Sequence, residues 1–79
     1  DNWLEVRVLG QTSGKTSLLG DKLVVRVLSS TQAFNKSNKK QATGTWLSRV
    51  QNDDLVSVVG DYKSTDGTIW ASRVVNRIR

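Results

Sequence analysis

Three tryptophans and a set of arginines and lysines are the side chains whose chemistry suggests a function for this chain. Trp3 and Trp70 each lie in a run of alternating residues, and each is followed within four positions by an arginine. An aromatic face can stack on an unpaired nucleobase, while a neighbouring cation attracts the phosphate beside that base. The candidate binding residues are therefore the tryptophans and the cations around them, namely Trp3, Arg7, Arg26, Lys36, Lys39, Lys40, Trp46, Arg49, Trp70 and Arg73. The alternative for each tryptophan is a structural role, in the core or at the end of a barrel.

Catalytic and metal-binding chemistry is poorly supported by the composition. The chain has no histidine and no cysteine, which excludes imidazole or thiolate metal ligands and the usual nucleophile and base pairs. The aspartates at 53, 54, 61 and 66 lack the spacing of a calcium loop and are typical of turns. We expect a protein that is not an enzyme and that needs neither a metal nor a cofactor.

A glycine-rich segment at residues 10–16, GQTSGKT, follows a predicted strand in the manner of a phosphate-binding loop. Three residues separate its glycines where that motif has four, and Gly20 leaves no room for the helix that the motif requires. We interpret the segment as a loop between two strands.

Charge is distributed unevenly along the 79 residues, whose formal net charge is +5. The cations concentrate in residues 36–50 and 68–79, whereas residues 51–67 are acidic. A polyanion such as single-stranded DNA or RNA would be attracted to the first two segments and repelled by the third.

The apolar residues predict an all-β fold, because valine is abundant, alanine is scarce and Glu5 is the one glutamate. Alternating patterns predict strands at residues 3–9, 22–28, 55–62 and 68–78. Asp66-Gly67 predicts a hairpin turn, and Gly60 predicts a bulge or a sharp bend. Two segments stay ambiguous: residues 29–43 are a mobile loop or a weak strand near 32–34, and residues 45–51 are a strand or a helical turn beginning near Thr45.

The last third of the chain resembles the OB fold. The resemblance lies in DLVSVVGDY at residues 54–62 and DGTIWAS at 66–72, and it covers residues 54–79. It implies a five-stranded Greek-key barrel, of the kind that presents a sheet face to oligonucleotides. An SH3-like small barrel is the alternative.

We therefore expect residues 1–79 to form one OB-like domain, excised from a larger protein and without a transmembrane segment. Its expected role is that of a binding or accessory module for single-stranded nucleic acid. The alternative is a protein-interaction or structural module that docks on a protein partner, on other domains of its parent chain or within a cell-envelope protein. Such a module would expose an apolar patch, for which the candidates are Val24, Leu28, Val59 and Trp70.

Overall fold

The computed structural model of the protein describes residues 3–11 and 19–79. Residues 12–18 include most of the glycine-rich segment and lie outside the described residues, so its interpretation as a loop stays a prediction. The described residues form five strands and one helix. These elements are β1 (Trp3–Arg7), β2 (Lys22–Phe34), β3 (Lys40–Gln41), α1 (Thr43–Arg49), β4 (Val56–Lys63) and β5 (Thr68–Asn76).

The strands form one mixed sheet in the order β1-β2-β5-β4, with the short β3 paired to the end of β2. β2 and β5 are parallel, while the other pairs are antiparallel. A parallel pair needs a long crossover, and here α1 and β4 provide it. The predicted all-β class and the five-stranded sheet are confirmed, but the described strands leave the sheet open between β1 and β4.

The register divides the sheet into two faces. Leu4, Val25 and Ile69 lie side by side on the inner face, where Val25 is fully buried. Their neighbours Trp3, Arg26 and Trp70 point to the opposite, outer face, because successive side chains of a strand alternate. The buried core on the inner side consists of Val25, Val27, Ala33, Trp46, Ala71 and Val74.

Of the two alternatives for residues 29–43, the strand near 32–34 is confirmed, and it is continuous with the strand predicted at 22–28, so that β2 runs through a polar segment to Phe34. Its pairing with β5 breaks between Val27 and Gln32, where an irregularity interrupts the ladder. The Thr31 hydroxyl bridges this break: it accepts a hydrogen bond from the Leu28 N–H at 2.8 Å and donates one to the Ala71 carbonyl at 2.6 Å. A buried threonine thus satisfies backbone groups that would otherwise lack partners, so the strand can pass through Ser-Ser-Thr.

Within the ambiguous segment at 45–51, residues 45–49 are helical. α1 begins at Thr43, two residues before the predicted cap at Thr45, and its N-cap residue Ala42 makes no side-chain capping bond. The helix ends at Arg49, a cation in the last turn, where it complements the helix dipole. α1 matters to the fold because it inserts Trp46 into the core.

The two predicted features of the last hairpin are confirmed. The register between β4 and β5 shifts between Val59 and Gly60. A Cβ atom at Gly60 would overlap the Trp70 carbonyl oxygen and lie 2.8 Å from the Ala71 Cα atom, so the position requires glycine. In the turn, Gly67 has a φ of +69°, and the Asp66 carboxylate accepts hydrogen bonds from the backbone and the hydroxyl of Thr68.

Candidate nucleic-acid interface

A row of aromatic and cationic side chains crosses the outer face of the sheet. Trp3 on β1 is paired with Arg26 on β2, and Arg26 is paired with Trp70 on β5. Trp3 is 57% exposed and Trp70 is 44% exposed, so both indoles offer ring surface to solvent. We call these three residues the stacking row. The sequence analysis identified all three as candidate binding residues, and the register shows that they are immediate neighbours on one face.

Two cations flank the Trp70 ring. The guanidinium carbon of Arg26 lies 5.7 Å from the ring centroid, and the Lys63 ammonium lies 5.4 Å from it. These are cation–π distances, which keep positive charge beside a ring that can stack on a base. Sequence reasoning missed Lys63 because it lies in the acidic segment. The predicted hairpin could have found it, since Lys63 pairs with Thr68 two positions before Trp70 on the same face.

A second aromatic and cationic pair lies farther along the outer face. The Arg73 guanidinium carbon is 4.6 Å from the centroid of the Phe34 ring. Phe34 was not among the predicted site residues because its polar surroundings hid the end of β2. Beside this pair, a small groove of about 290 Å³ is lined by Asn38, Ser57, Val59, Arg73, Val75 and Arg77. In the groove, the Arg77 Nε donates a 3.0 Å hydrogen bond to the Ser57 hydroxyl, which orients the guanidinium.

The outer face concentrates the positive charge of the described residues. Its register positions and the Arg77–Ser57 contact place seven cations there, against the two carboxylates of Glu5 and Asp61. The cations are Arg7, Lys22, Arg26, Lys40, Lys63, Arg73 and Arg77. This excess favours an anionic ligand over the outer face.

The predicted lysine cluster lies in an ordered turn between β2 and β3. The Asn35 side chain accepts hydrogen bonds from the backbone N–H groups of Ser37 and Lys39, at 2.9 and 3.0 Å. Lys36 and Lys39 are exposed in this turn, and Lys40 is paired with Phe34. Only Lys40 is therefore tied by register to the outer face. Arg49, also predicted, is exposed at the end of α1 and does not lie on the sheet.

Trp46 is a correction to the predicted site. Its side chain is 1% exposed and belongs to the core, and its indole Nε1 donates a 2.9 Å hydrogen bond to the Phe34 carbonyl. A buried ring offers no face to a base, so the prediction of stacking on Trp46 is wrong. The reason is that residues 43–49 form a helix, which turns Trp46 towards the sheet instead of leaving it on an exposed strand.

Asp54 forms an ion pair with Arg79, one of the cations of the basic segment at residues 68–79. Its Oδ2 atom accepts hydrogen bonds from the Arg79 Nε at 2.9 Å, the Gln51 N–H at 3.0 Å and the Asn76 amide at 3.2 Å. These donors, with the Arg79 bond foremost, hold the pKa of Asp54 below its ordinary value. Arg79 is thereby partly neutralised and fixed to the segment between α1 and β4.

Other kinds of site find little support among the described residues. No group of three or more metal-ligating side chains occurs in residues 3–11 and 19–79. Over the same part of the chain, no helix is long and apolar enough to cross a membrane. Comparison of this chain with models of known protein families, with curated proteins and with solved structures finds no match.

Proposed function

We propose that the protein binds single-stranded nucleic acid across the outer face of its sheet. The observation that carries the proposal is the stacking row, in which Arg26 separates two exposed tryptophans. Trp3 and Trp70 are two strands apart, which is about 10 Å in a β-sheet. Two unpaired bases can stack on separate indoles at that spacing, with the cation between them available to the intervening phosphate.

The outer face suits a single strand better than a duplex. Bases in a duplex are stacked on one another and cannot lie on a protein side chain without being flipped out. An unpaired strand exposes its bases, and its backbone can follow a line of cations from Arg26 and Lys63 towards Arg73 and Arg77. Because stacking and phosphate attraction are common to all sequences, we expect binding that tolerates sequence changes and weakens steeply with salt.

A second candidate function is docking on a protein partner through the outer face. Val59 is 61% exposed and is paired with Arg73, so apolar surface does interrupt the cationic face. The predicted apolar patch is narrower than expected, however, because Val24 and Leu28 are half-buried. A narrow patch among many cations favours the nucleic-acid function over this one.

Tryptophan fluorescence tests the proposal directly. A short mixed-sequence single-stranded oligonucleotide, titrated at low salt, should quench the emission of Trp3 and Trp70 to saturation, and high salt should abolish most of the effect. Trp70→Ala should weaken binding by roughly 5- to 150-fold, which corresponds to a stacking contribution of about 1–3 kcal/mol.

Tyr62→Ala is the matched control. Tyr62 is also an exposed aromatic residue of the same hairpin, but it is paired with Ile69 and so lies on the inner side of the sheet. The Tyr62→Ala variant should bind the oligonucleotide with an affinity within about twofold of that of the wild-type protein. A flat titration with the wild-type protein, or equal losses for the two variants, would reject binding on the outer face.

A further inference from the structure

The gap in the sheet is a second surface with its own chemistry. β1 and β4 are the edge strands of the order β1-β2-β5-β4, and residues of both line one open cleft of about 1130 Å³. An edge strand presents backbone N–H and C=O groups that can pair with a further strand. The chain has no proline, which is one of the residues that proteins use to block such pairing.

The wall of the cleft is apolar. It is lined by Leu4 and Val6 of β1 and by Val56 and Val58 of β4, and all four are half-buried and packed against the core. Ile69 lies between these two groups on β5. The inner side of the sheet is thus partly exposed to solvent along this cleft, and a strand with apolar side chains on one face would bury it.

The directions of the two edges suit a single strand. β1 is antiparallel to β2, β2 is parallel to β5, and β5 is antiparallel to β4. β1 and β4 therefore run in the same direction, so that one inserted strand can be antiparallel to both. Antiparallel pairing is the more stable kind, and the added strand would remove both edges at once.

Charge around the cleft selects among possible strands. The lining contains the carboxylates of Glu5, Asp53, Asp54 and Asp61 but only one cation, Arg7. Asp54 is paired with Arg79, which leaves three carboxylates against one arginine. A second copy of this chain would bring the same carboxylates to the seam, and like charges on neighbouring strands destabilise pairing. A strand with cations on its solvent side complements them.

We propose that the cleft between β1 and β4 binds a cationic, amphipathic β-strand of a partner protein. The strand adds antiparallel to the two edges, packs alternate apolar side chains on Leu4, Val6 and Val58, and places lysines or arginines beside Glu5 and Asp61. About five to eight residues suffice, since β1 has five residues and β4 has eight. This site adjoins the outer face, with which it shares Glu5 and Asp61, but it does not depend on nucleic-acid binding.

A model peptide tests the proposal on the whole chain. The probe is a blocked seven-residue peptide of alternating lysine and valine, titrated into isotopically labelled protein and followed by backbone NMR. Chemical shifts of β1 and β4 should move together to saturation, and amide exchange along both edges should slow at least tenfold. A peptide of alternating glutamate and valine, and one with the same lysines and valines in two blocks, should leave both unchanged.

Two charge reversals provide the matched variants. Asp61 lines the cleft, whereas Asp21 is another exposed aspartate outside the cleft lining, and each change to lysine alters the net charge equally. Asp61→Lys should weaken peptide binding roughly three- to tenfold at low salt, while Asp21→Lys should leave it within twofold. Asp61→Lys adds a cation beside Trp70 and should instead strengthen oligonucleotide binding, which keeps the two proposals distinguishable.

Three results would overturn the inference. One is that the chemical shifts of β1 and β4 do not change at millimolar concentrations of the alternating peptide. Another is that the block peptide binds as well as the alternating peptide. The third is that the β1 and β4 amides of the free protein are already protected from exchange in a concentration-dependent way, and that sedimentation shows a dimer. That last result would assign the cleft to a second copy of the chain.

Discussion

Trp46 and Trp70 occupy opposite environments in the same small domain. Trp46 is 1% exposed, packs among the core valines and uses its indole N–H in a hydrogen bond to the Phe34 carbonyl. Trp70 is 44% exposed and is flanked by Arg26 and Lys63. The Trp46 indole is buried and its N–H is hydrogen-bonded inside the protein, whereas the Trp70 indole is partly exposed to solvent beside two cations.

This difference in burial means that one tryptophan contributes to the stability of the fold, whereas the other is available for binding. A buried aromatic ring contributes through the area it removes from water and through packing without voids. An exposed ring contributes little to folding and is available to a ligand. Substitutions at the two sites should therefore produce opposite patterns, with loss of stability at the Trp46 region and loss of binding at the Trp70 region.

The largest expected effect is that of Trp46→Ala. Removing a fully buried aromatic side chain costs about 3–5 kcal/mol, which approaches the whole stability of a small domain. Denaturant unfolding followed by far-ultraviolet circular dichroism should show a strongly reduced midpoint or no folded baseline. Trp70→Ala, under the same conditions, should change the free energy of unfolding by less than about 1 kcal/mol. Similar losses for both would remove the distinction between the two regions.

Gly60→Ala tests the backbone that carries Trp70. The added methyl group collides with the Trp70 carbonyl and the Ala71 backbone, which cannot move without disturbing the sheet. We expect a loss of about 1–3 kcal/mol in the free energy of unfolding. Gly44→Ala is the control, because no atom lies within 4 Å of a Cβ there and alanine favours the helix. A neutral Gly60→Ala would mean that β4 and β5 approach less closely than described.

Arg73→Gln tests whether a single cation of the outer face contributes to oligonucleotide binding. The guanidinium lies over Phe34 on the sheet, so its loss should weaken oligonucleotide binding a few-fold. It should also reduce the slope of log affinity against log salt by about 0.7, the value for one phosphate contact to a single strand. Arg49→Gln removes the same charge from α1 and should change the slope less. Equal changes would indicate attraction by net charge alone.

The smallest effect is a pH dependence at Asp54. Its pKa is lower in the folded protein, so it binds a proton less readily than in the unfolded chain. Stability from this carboxylate is therefore present above the ordinary pKa of about 3.8 and is lost as pH falls through the folded pKa. The stability difference between wild type and Asp54→Asn should shrink below about pH 4. A stability difference between wild type and Asp54→Asn that is independent of pH would contradict the assignment.

Local patterns predicted the parts of the fold that depend on neighbours in the chain. The alternation of Leu4 and Val6 marked β1, and Asp66-Gly67 marked the hairpin, because strand faces and tight turns are local properties. Gly60 was identified as a bend for the same reason. The strand at residues 32–34 was predicted only as an alternative to a mobile loop. Its continuity with residues 22–28 was not predicted, because it depends on Thr31 bonding to the Ala71 carbonyl, a contact between residues 40 positions apart.

The sequence predicted several residues of the candidate site, but not how those residues are arranged on the sheet. Trp3, Arg26 and Trp70 were identified by their outward positions, and the register confirms that they share one face. Lys63 and Phe34 were missed because each lies in a segment whose local charge or polarity pointed elsewhere. Trp46 was assigned to stacking because a seven-residue segment fits both a strand and a helix, and only burial against β2 decides between them.

The sequence by itself determined an all-β domain with a basic outer face, because alternation of valines with charged residues specifies which side chains share a side of a strand. The tertiary structure alone decided which tryptophan is buried, which cations meet Trp70, and that β1 and β4 remain open edges beside an apolar cleft. These features depend on strand order and on the parallel pairing of β2 with β5, which join residues far apart in the chain. No local propensity specifies such pairings, since their free energy comes from burial that exists only once the sheet has formed.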